Sequence, residues 1–143
     1  MTHPADCQNA GMPRTVITFG TFDVFHVGHL RVIERAAALG DRLVVGVSAD
    51  ALNLLKKGRE PVFSQGERLA IIAALKPVDE VFVEESLELK RDYIQKYGAD
   101  VLVMGDDWKG RFDEFEDVCE VVYLSRTPAI STTALIEKIS ATG

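Results

Sequence analysis

Two histidines three residues apart stand in the run Gly20-Thr21-Phe22-Asp23-Val24-Phe25-His26-Val27-Gly28-His29. A short apolar stretch, Thr15 to Phe19, ends just before it, and Leu30, Ile33 and Ala37 recur at helical spacing just after it. A strand-to-helix turn gathers backbone N–H groups and the positive end of a helix dipole at one point, which suits an anion. Gly28 lacks a Cβ, so a bulky polyanion can come close to the backbone there. Two imidazoles around that point can donate to phosphate oxygens, and the pattern points to a nucleotide-phosphate site. The plainer reading has one histidine capping the helix and the other on the surface.

Further segments offer matching chemistry. Lys56-Lys57-Gly58-Arg59 is either a solvated basic turn or the place where an acidic protein neutralises an anionic substrate. Near the C-terminus, Ser131-Thr132-Thr133 precedes Leu135, Ile136 and Ile139 at helical spacing. Ser131 is a good N-cap, and Arg126 just upstream can fork onto phosphate beside that helix start. Asp23 either bonds neighbouring backbone N–H groups or helps to hold a divalent metal. Gly105-Asp106-Asp107-Trp108 is either a turn or a source of metal-binding or general-base carboxylates, and Trp108 walls a base pocket or simply packs. Lys90, taken alone, is a helix-surface lysine. No metal ligand is assigned to the protein from these residues.

The elements that must position these groups alternate. Strands are expected at Thr15–Phe19, Arg42–Ser48, Glu80–Val83, Val101–Met104 and Glu120–Leu124, with helical patterns between them. Gly40 and Gly98 read as helix stops, and Ser64-Gln65-Gly66-Glu67 as a capping box. Such alternation implies an α/β fold whose parallel sheet is covered on both faces, with the strand-exit loops on one side. A chain of 143 residues makes one domain. Residues 1–14 are expected to form a disordered leader, with Met1 and Met12 as alternative starts, and residues 15–143 the domain. A net charge of −6 disfavours nucleic acid and anionic membranes as partners, and no apolar run is long enough for membrane insertion. Cys7 and Cys119 form neither a disulfide framework nor a metal set, which suits the cytoplasm.

Three segments together, Gly20 to His29, Met104 to Trp108 and Arg126 to Thr133, resemble the nucleotidylyltransferases with the His-x-Gly-His signature. Within that superfamily the chain is similar to the cytidylyltransferases, above all those acting on glycerol 3-phosphate, from about Thr15 to the C-terminus. The resemblance implies a Rossmann-like doubly wound domain with five parallel strands in the order 3-2-1-4-5. It implies CMP transfer from CTP, with Mg²⁺, to glycerol 3-phosphate, giving CDP-glycerol and pyrophosphate, in a homodimer. His26, His29, Lys57 and Arg126 are then the catalytic residues. Thr21, Phe22, Arg59, Thr127, Ile130, Ser131, Thr132 and Thr133 complete the nucleotide site. Lys56, Lys57 and Lys90 meet the acceptor, Lys90 matching a position that binds the acceptor phosphate and Lys57 preferred to Lys56. Val24 stands where adenylyl-transferring branches have proline, which favours cytosine. Ala129 stands where the family pattern has glycine, which implies strain if that position needs a positive φ. Alternatives are other phospho-alcohols (phosphocholine, phosphoethanolamine), adenylyl or guanylyl transfer to a sugar phosphate, and a nucleotide-binding module without turnover.

Overall fold

The computed structural model describes residues 13–125 and 132–142. Five strands, β1 (Thr15–Gly20), β2 (Arg42–Ser48), β3 (Glu80–Glu84), β4 (Val101–Gly105) and β5 (Glu120–Leu124), form one parallel sheet in the order β3-β2-β1-β4-β5. The helices are α1 (Val27–Ala37), α2 (Asp50–Lys57), α3 (Gln65–Ala73), α4 (Lys90–Lys96) and α5 (Thr132–Thr142). The expected strands, their order and the alternation with helices all stand, with β1, β3 and β4 one residue longer at the C-terminal end than expected.

Alternate residues of β1 feed two separate cores, as the period-2 geometry of a strand requires. Val16 faces Ile33 and Ala36 of α1 and Ile72 of α3, together with Leu43, Val45 and Val47 of β2. Ile17 and Phe19 point the other way, onto Ile94 of α4, Leu102 and Met104 of β4, and Phe115. The central strands β1, β2 and β4 are therefore almost wholly buried, while β3 and β5 at the edges are only partly so. Burial on both faces is why these strands read as continuous apolar runs.

Aspartates fasten the N-terminal edge of the sheet. Asp100 accepts from the Thr15 amide at 2.8 Å, Asp79 from the Leu43 amide at 2.8 Å, and Asp41 from the Arg14 amide at 2.8 Å. Arg14, assigned to the leader from sequence, is thus tied to the sheet; Met1 to Met12 lie outside the described residues. The Ser64–Glu67 capping box forms as expected, with Ser64 Oγ accepting from the Glu67 amide at 3.2 Å. Gly98 follows α4 with φ +61°, the left-handed stop that its type predicts.

Candidate active site

The strand-exit loops enclose a cleft of about 640 Å³. β1 and α1 bring His26 and His29 to its wall, the last turn of α2 brings Lys56 and Lys57, and α5 brings Thr132 and Thr133. Arg59, Thr21, Phe22, Lys90 and Trp108 border it as well. Arg126, Thr127, Ala129, Ile130 and Ser131 lie outside the described residues.

Both histidines cap the helix and both face the cleft, so the two sequence readings are not alternatives. His26 Nδ1 accepts from the Gly28 amide at 3.0 Å, and His29 Nδ1 accepts from the His26 amide at 3.2 Å, a reciprocal capping box built from imidazoles. The rings stack at 3.8 Å. A neutral imidazole whose Nδ1 accepts must carry its proton on Nε2. Two amides at the start of α1, that of His26 at the N-cap and that of Gly28 in the first turn, are therefore spent on the rings rather than offered to an anion directly, and each ring presents Nε2–H instead. His26 Nε2 is buried without a hydrogen-bond partner. His29 Nε2 lies 3.5 Å from Thr132 Oγ1, which itself donates to the Asp23 carbonyl at 2.9 Å. A buried, unsatisfied donor is costly unless a ligand supplies the acceptor.

Both rings are shifted toward the neutral form. Burial lowers the His26 pKa, and burial followed by repulsion from His26 lowers that of His29 to about 4, with Lys57 adding to the effect. An unfolded histidine titrates near 6.5, so the unfolded chain takes up a proton first as pH falls. The contribution of neutral His29 to stability is complete above about pH 6.5 and is lost as pH falls from there through about 4. We expect the melting temperature to fall more steeply over that window in the wild type than in a His29→Ala variant, measured by thermal unfolding at a series of pH values. Parallel slopes would show that His29 titrates normally.

Asp23 settles on the backbone. Its carboxylate accepts from the amides of Val24 at 3.1 Å, Val62 at 2.7 Å and Phe63 at 2.9 Å. It thereby ties the histidine loop to the loop before α3, and its oxygens are not available as a ready metal site. The same loop holds Phe22 at φ 54° and Val24 at φ 48°, left-handed values unusual for such side chains. Phe22 is itself a core residue with its ring against His29, so its side chain supports the site from behind. The Thr21 hydroxyl also turns inward, donating to Asn53 Oδ1 at 2.9 Å and accepting from Ser48 Oγ at 3.1 Å.

The cations divide along the cleft. Gly58 closes α2 in a left-handed conformation (φ 74°) with its amide on the Leu54 carbonyl, which leaves both lysines in the final helical turn. Lys57 lies near enough to His29 to act on its protonation, whereas Lys56 feels Glu84 and Lys90. Desolvation lowers the Lys56 pKa, and Glu84 opposes the shift. Lys90 is no surface lysine: it is 2% exposed and its Nζ lies 2.7 Å from Glu84 Oε2.

Sequence reasoning missed the residue that joins the loops. Arg68 is fully buried, and its guanidinium donates to the carbonyls of Phe63, Thr21 and Ser48 and to Asp50 Oδ1 at 2.6 Å. Glu84 and Asn53, both buried at the cleft, were missed too. Their partners, four to 47 residues away, do not fall at the spacing of any capping or ligand motif, so no local pattern marks them.

This arrangement of neutral imidazole donors, lysines and a helix start is suited to a nucleotide triphosphate. The model of the cytidylyltransferase-like family matches residues 17–138. The chain belongs to this family. Among its relatives, the glycerol-3-phosphate cytidylyltransferase of Bacillus subtilis is 48% identical over 127 residues, spanning 89% of this chain and 98% of that protein. The enzyme of the same description from Staphylococcus aureus is 39% identical over 126 residues, spanning 88% and 95%. The crystal structure of a lipopolysaccharide core biosynthesis protein from Thermoplasma volcanium aligns with a TM-score of 0.70 at 26% identity, covering 80% of this chain and 98% of that one. This cytidylyltransferase-like domain thus places His26 and His29 where they cap α1 and line the cleft together.

Proposed function

We propose that the protein is an enzyme that transfers CMP from CTP to the phosphate of glycerol 3-phosphate, releasing pyrophosphate and forming CDP-glycerol. The observation that carries this reading is the imidazole capping box, which engages Nδ1 of two cleft-lining histidines and leaves both Nε2–H groups free of backbone bonds. The acceptor's phosphate oxygen attacks the α-phosphorus in line, and the bond to the bridging oxygen of pyrophosphate breaks. No protein nucleophile is needed, because phosphoryl transfer rests on positioning and charge stabilisation. The histidine donors stabilise charge on the reacting and departing phosphates, and Lys56, Lys57 and Arg59 lessen repulsion between two anionic reactants. Arg126 and the segment Thr127 to Thr133 are assigned to the triphosphate on the family resemblance.

Mg²⁺ bound to the triphosphate would add charge neutralisation. Among the described residues no group of three His, Cys, Asp or Glu side chains is placed to hold a metal ion. An ion that arrives on phosphates keeps several waters and takes one or two carboxylates from the protein. Asp107, on the cleft wall, is the carboxylate that would hold it.

The protein is further proposed to act in the cytoplasm, where CTP is found, as a homodimer. Leu55 at 85% exposure, Leu54 and Val62 are exposed apolar side chains that a second copy would cover. No helix among the described residues is long and apolar enough to cross a membrane.

The test is a grid of nucleoside triphosphates against phospho-alcohols with Mg²⁺, read by pyrophosphate release. CTP with glycerol 3-phosphate is expected to give the highest kcat/KM. ATP outperforming CTP with every acceptor would refute cytidylyl transfer. CTP working only with another phospho-alcohol would refute the acceptor alone.

A further inference from the structure

Asn53 is a buried amide in the wall of the cleft. Its Nδ2 donates to the carbonyls of Ser48 at 3.3 Å and Ala49 at 3.1 Å and to Ser48 Oγ at 2.9 Å. Its Oδ1 accepts from the Thr21 hydroxyl at 2.9 Å, and Ser48 Oγ lies 3.1 Å from Thr21 Oγ1. Carbonyls only accept, which fixes Nδ2 on their side of the amide and Oδ1 toward Thr21. The direction of the other bonds follows: Asn53 donates to Ser48, Ser48 to Thr21, and Thr21 back to Asn53. Three side chains thus close a ring in which each donates and accepts, an arrangement whose bonds strengthen one another.

The ring joins two segments that bring charged or donor groups to the cleft. Thr21 follows β1 and leads into His26 and His29. Asn53 stands four residues before Lys57, so the two share one face of α2, and both border the cleft. Lys57 is close enough to His29 to act on its charge. The first turn of α2 is pinned to α3, where Asp50 exchanges hydrogen bonds with Gln65 and accepts from Arg68. Beyond that turn Asn53 is the last buried residue of the helix, and Leu54 and Leu55 are exposed. The lysine end is therefore the end that can swing. Four residues of helix span about 6 Å, so a tilt of roughly 10° at Asn53 moves the Lys57 backbone by about 1 Å. An error of about 1 Å in the placing of a group can cost about 10²-fold in rate.

We propose that Asn53, through its ring with Ser48 and Thr21, is a positioning residue that holds Lys57 at a fixed distance from the histidine loop. This inference rests on the cleft being the cytidylyl-transfer site. Thr21 then serves the site through Asn53, its hydroxyl proton being spent within the ring.

The experiment compares the wild type with Asn53→Leu, Ser48→Ala and Lys57→Met, and with each of the first two combined with Lys57→Met. Pyrophosphate release from CTP and glycerol 3-phosphate gives kcat/KM, and amide hydrogen exchange follows α2. Asn53→Leu is expected to lower kcat/KM about 10- to 100-fold. Exchange of the amides from Leu54 to Lys57 should quicken at least about tenfold, while α1 keeps its protection. In the Lys57→Met background the same change should cost under about threefold, because a residue that acts through Lys57 loses its effect once that cation is gone. Ser48→Ala opens the ring but leaves the backbone bonds of Asn53. A smaller loss with the same dependence on Lys57 is expected of it, and it carries the test if Asn53→Leu does not fold. Equal losses in the two backgrounds would overturn the proposal, since a merely structural role costs the same with or without the cation. Unchanged exchange in α2 would overturn it as well. If the wild type transfers CMP to no acceptor, the functional reading fails, and exchange in α2 still decides whether the ring holds the lysine helix.

Discussion

Replacing His29 or His26 by alanine should lower kcat by about 10²- to 10³-fold, roughly 2.7–4 kcal/mol of transition-state stabilisation. Each imidazole is held through Nδ1 by a backbone amide, at 3.2 Å for His29 and 3.0 Å for His26, so its Nε2–H is oriented before the substrate arrives. Donors fixed in this way act on charge that develops in the transition state. The CTP KM should therefore change much less than kcat. The same hydrogen bonds add a second effect. Alanine at either position leaves an amide at the N-terminal end of α1 without its partner, which costs about 1 kcal/mol of stability. Steady-state kinetics and thermal unfolding of the same preparations separate the two effects. A folded variant that kept most of its kcat would remove that histidine from the mechanism.

The largest loss of stability should follow Arg68→Ala. The side chain is fully buried and donates to three carbonyls and to Asp50, which is itself only 29% exposed at its side chain. Breaking such a buried pair costs about 3–5 kcal/mol, because the partners stay behind without a donor. For a domain of this size that is a fall of roughly 10 °C in melting temperature. Arg68→Lys should recover less than half of it, since one ammonium cannot span the fork of acceptors that a guanidinium reaches. The Thr21 and Phe63 carbonyls belong to the two loops that meet at Asp23, so the CTP KM of any folded variant should also rise. A melting temperature within about 2 °C of the wild type would show that water replaces the guanidinium at little cost.

What could be read from the chain beforehand follows the range of the interactions involved. The strands were legible because a parallel strand buried on both faces needs β-branched and apolar residues throughout. The Ser64–Glu67 box was legible because its partners are three residues apart. The strand order came from the resemblance, since periodicity says nothing of which strands are neighbours. Lys90 and Arg68 resist any local reading: a cation in a helical pattern looks like a solvent face until its partners are known. Glu84 on β3, Phe19 on β1 and the Ser48 carbonyl on β2 are what bury them. Positive φ at Phe22 and Val24 was equally hidden, because side-chain type alone assigns that conformation to glycine. His26 and His29 were found from their spacing. That they cap α1 as well needed the ring orientations.

Thr132 on α5 touches the Asp23 carbonyl and His29, residues that precede it by 109 and 103 positions. During synthesis the histidine loop, β1 and β2 leave the ribosome long before this contact has a second half. At roughly 5–20 residues per second, about 5 to 20 seconds pass between the two. A nascent chain halted anywhere in that interval carries His26 and His29 without Thr132 beside them. On the proposed function, truncated products are expected not to turn over CTP, competence being gained only when the segment bearing Thr132 has been made and docked.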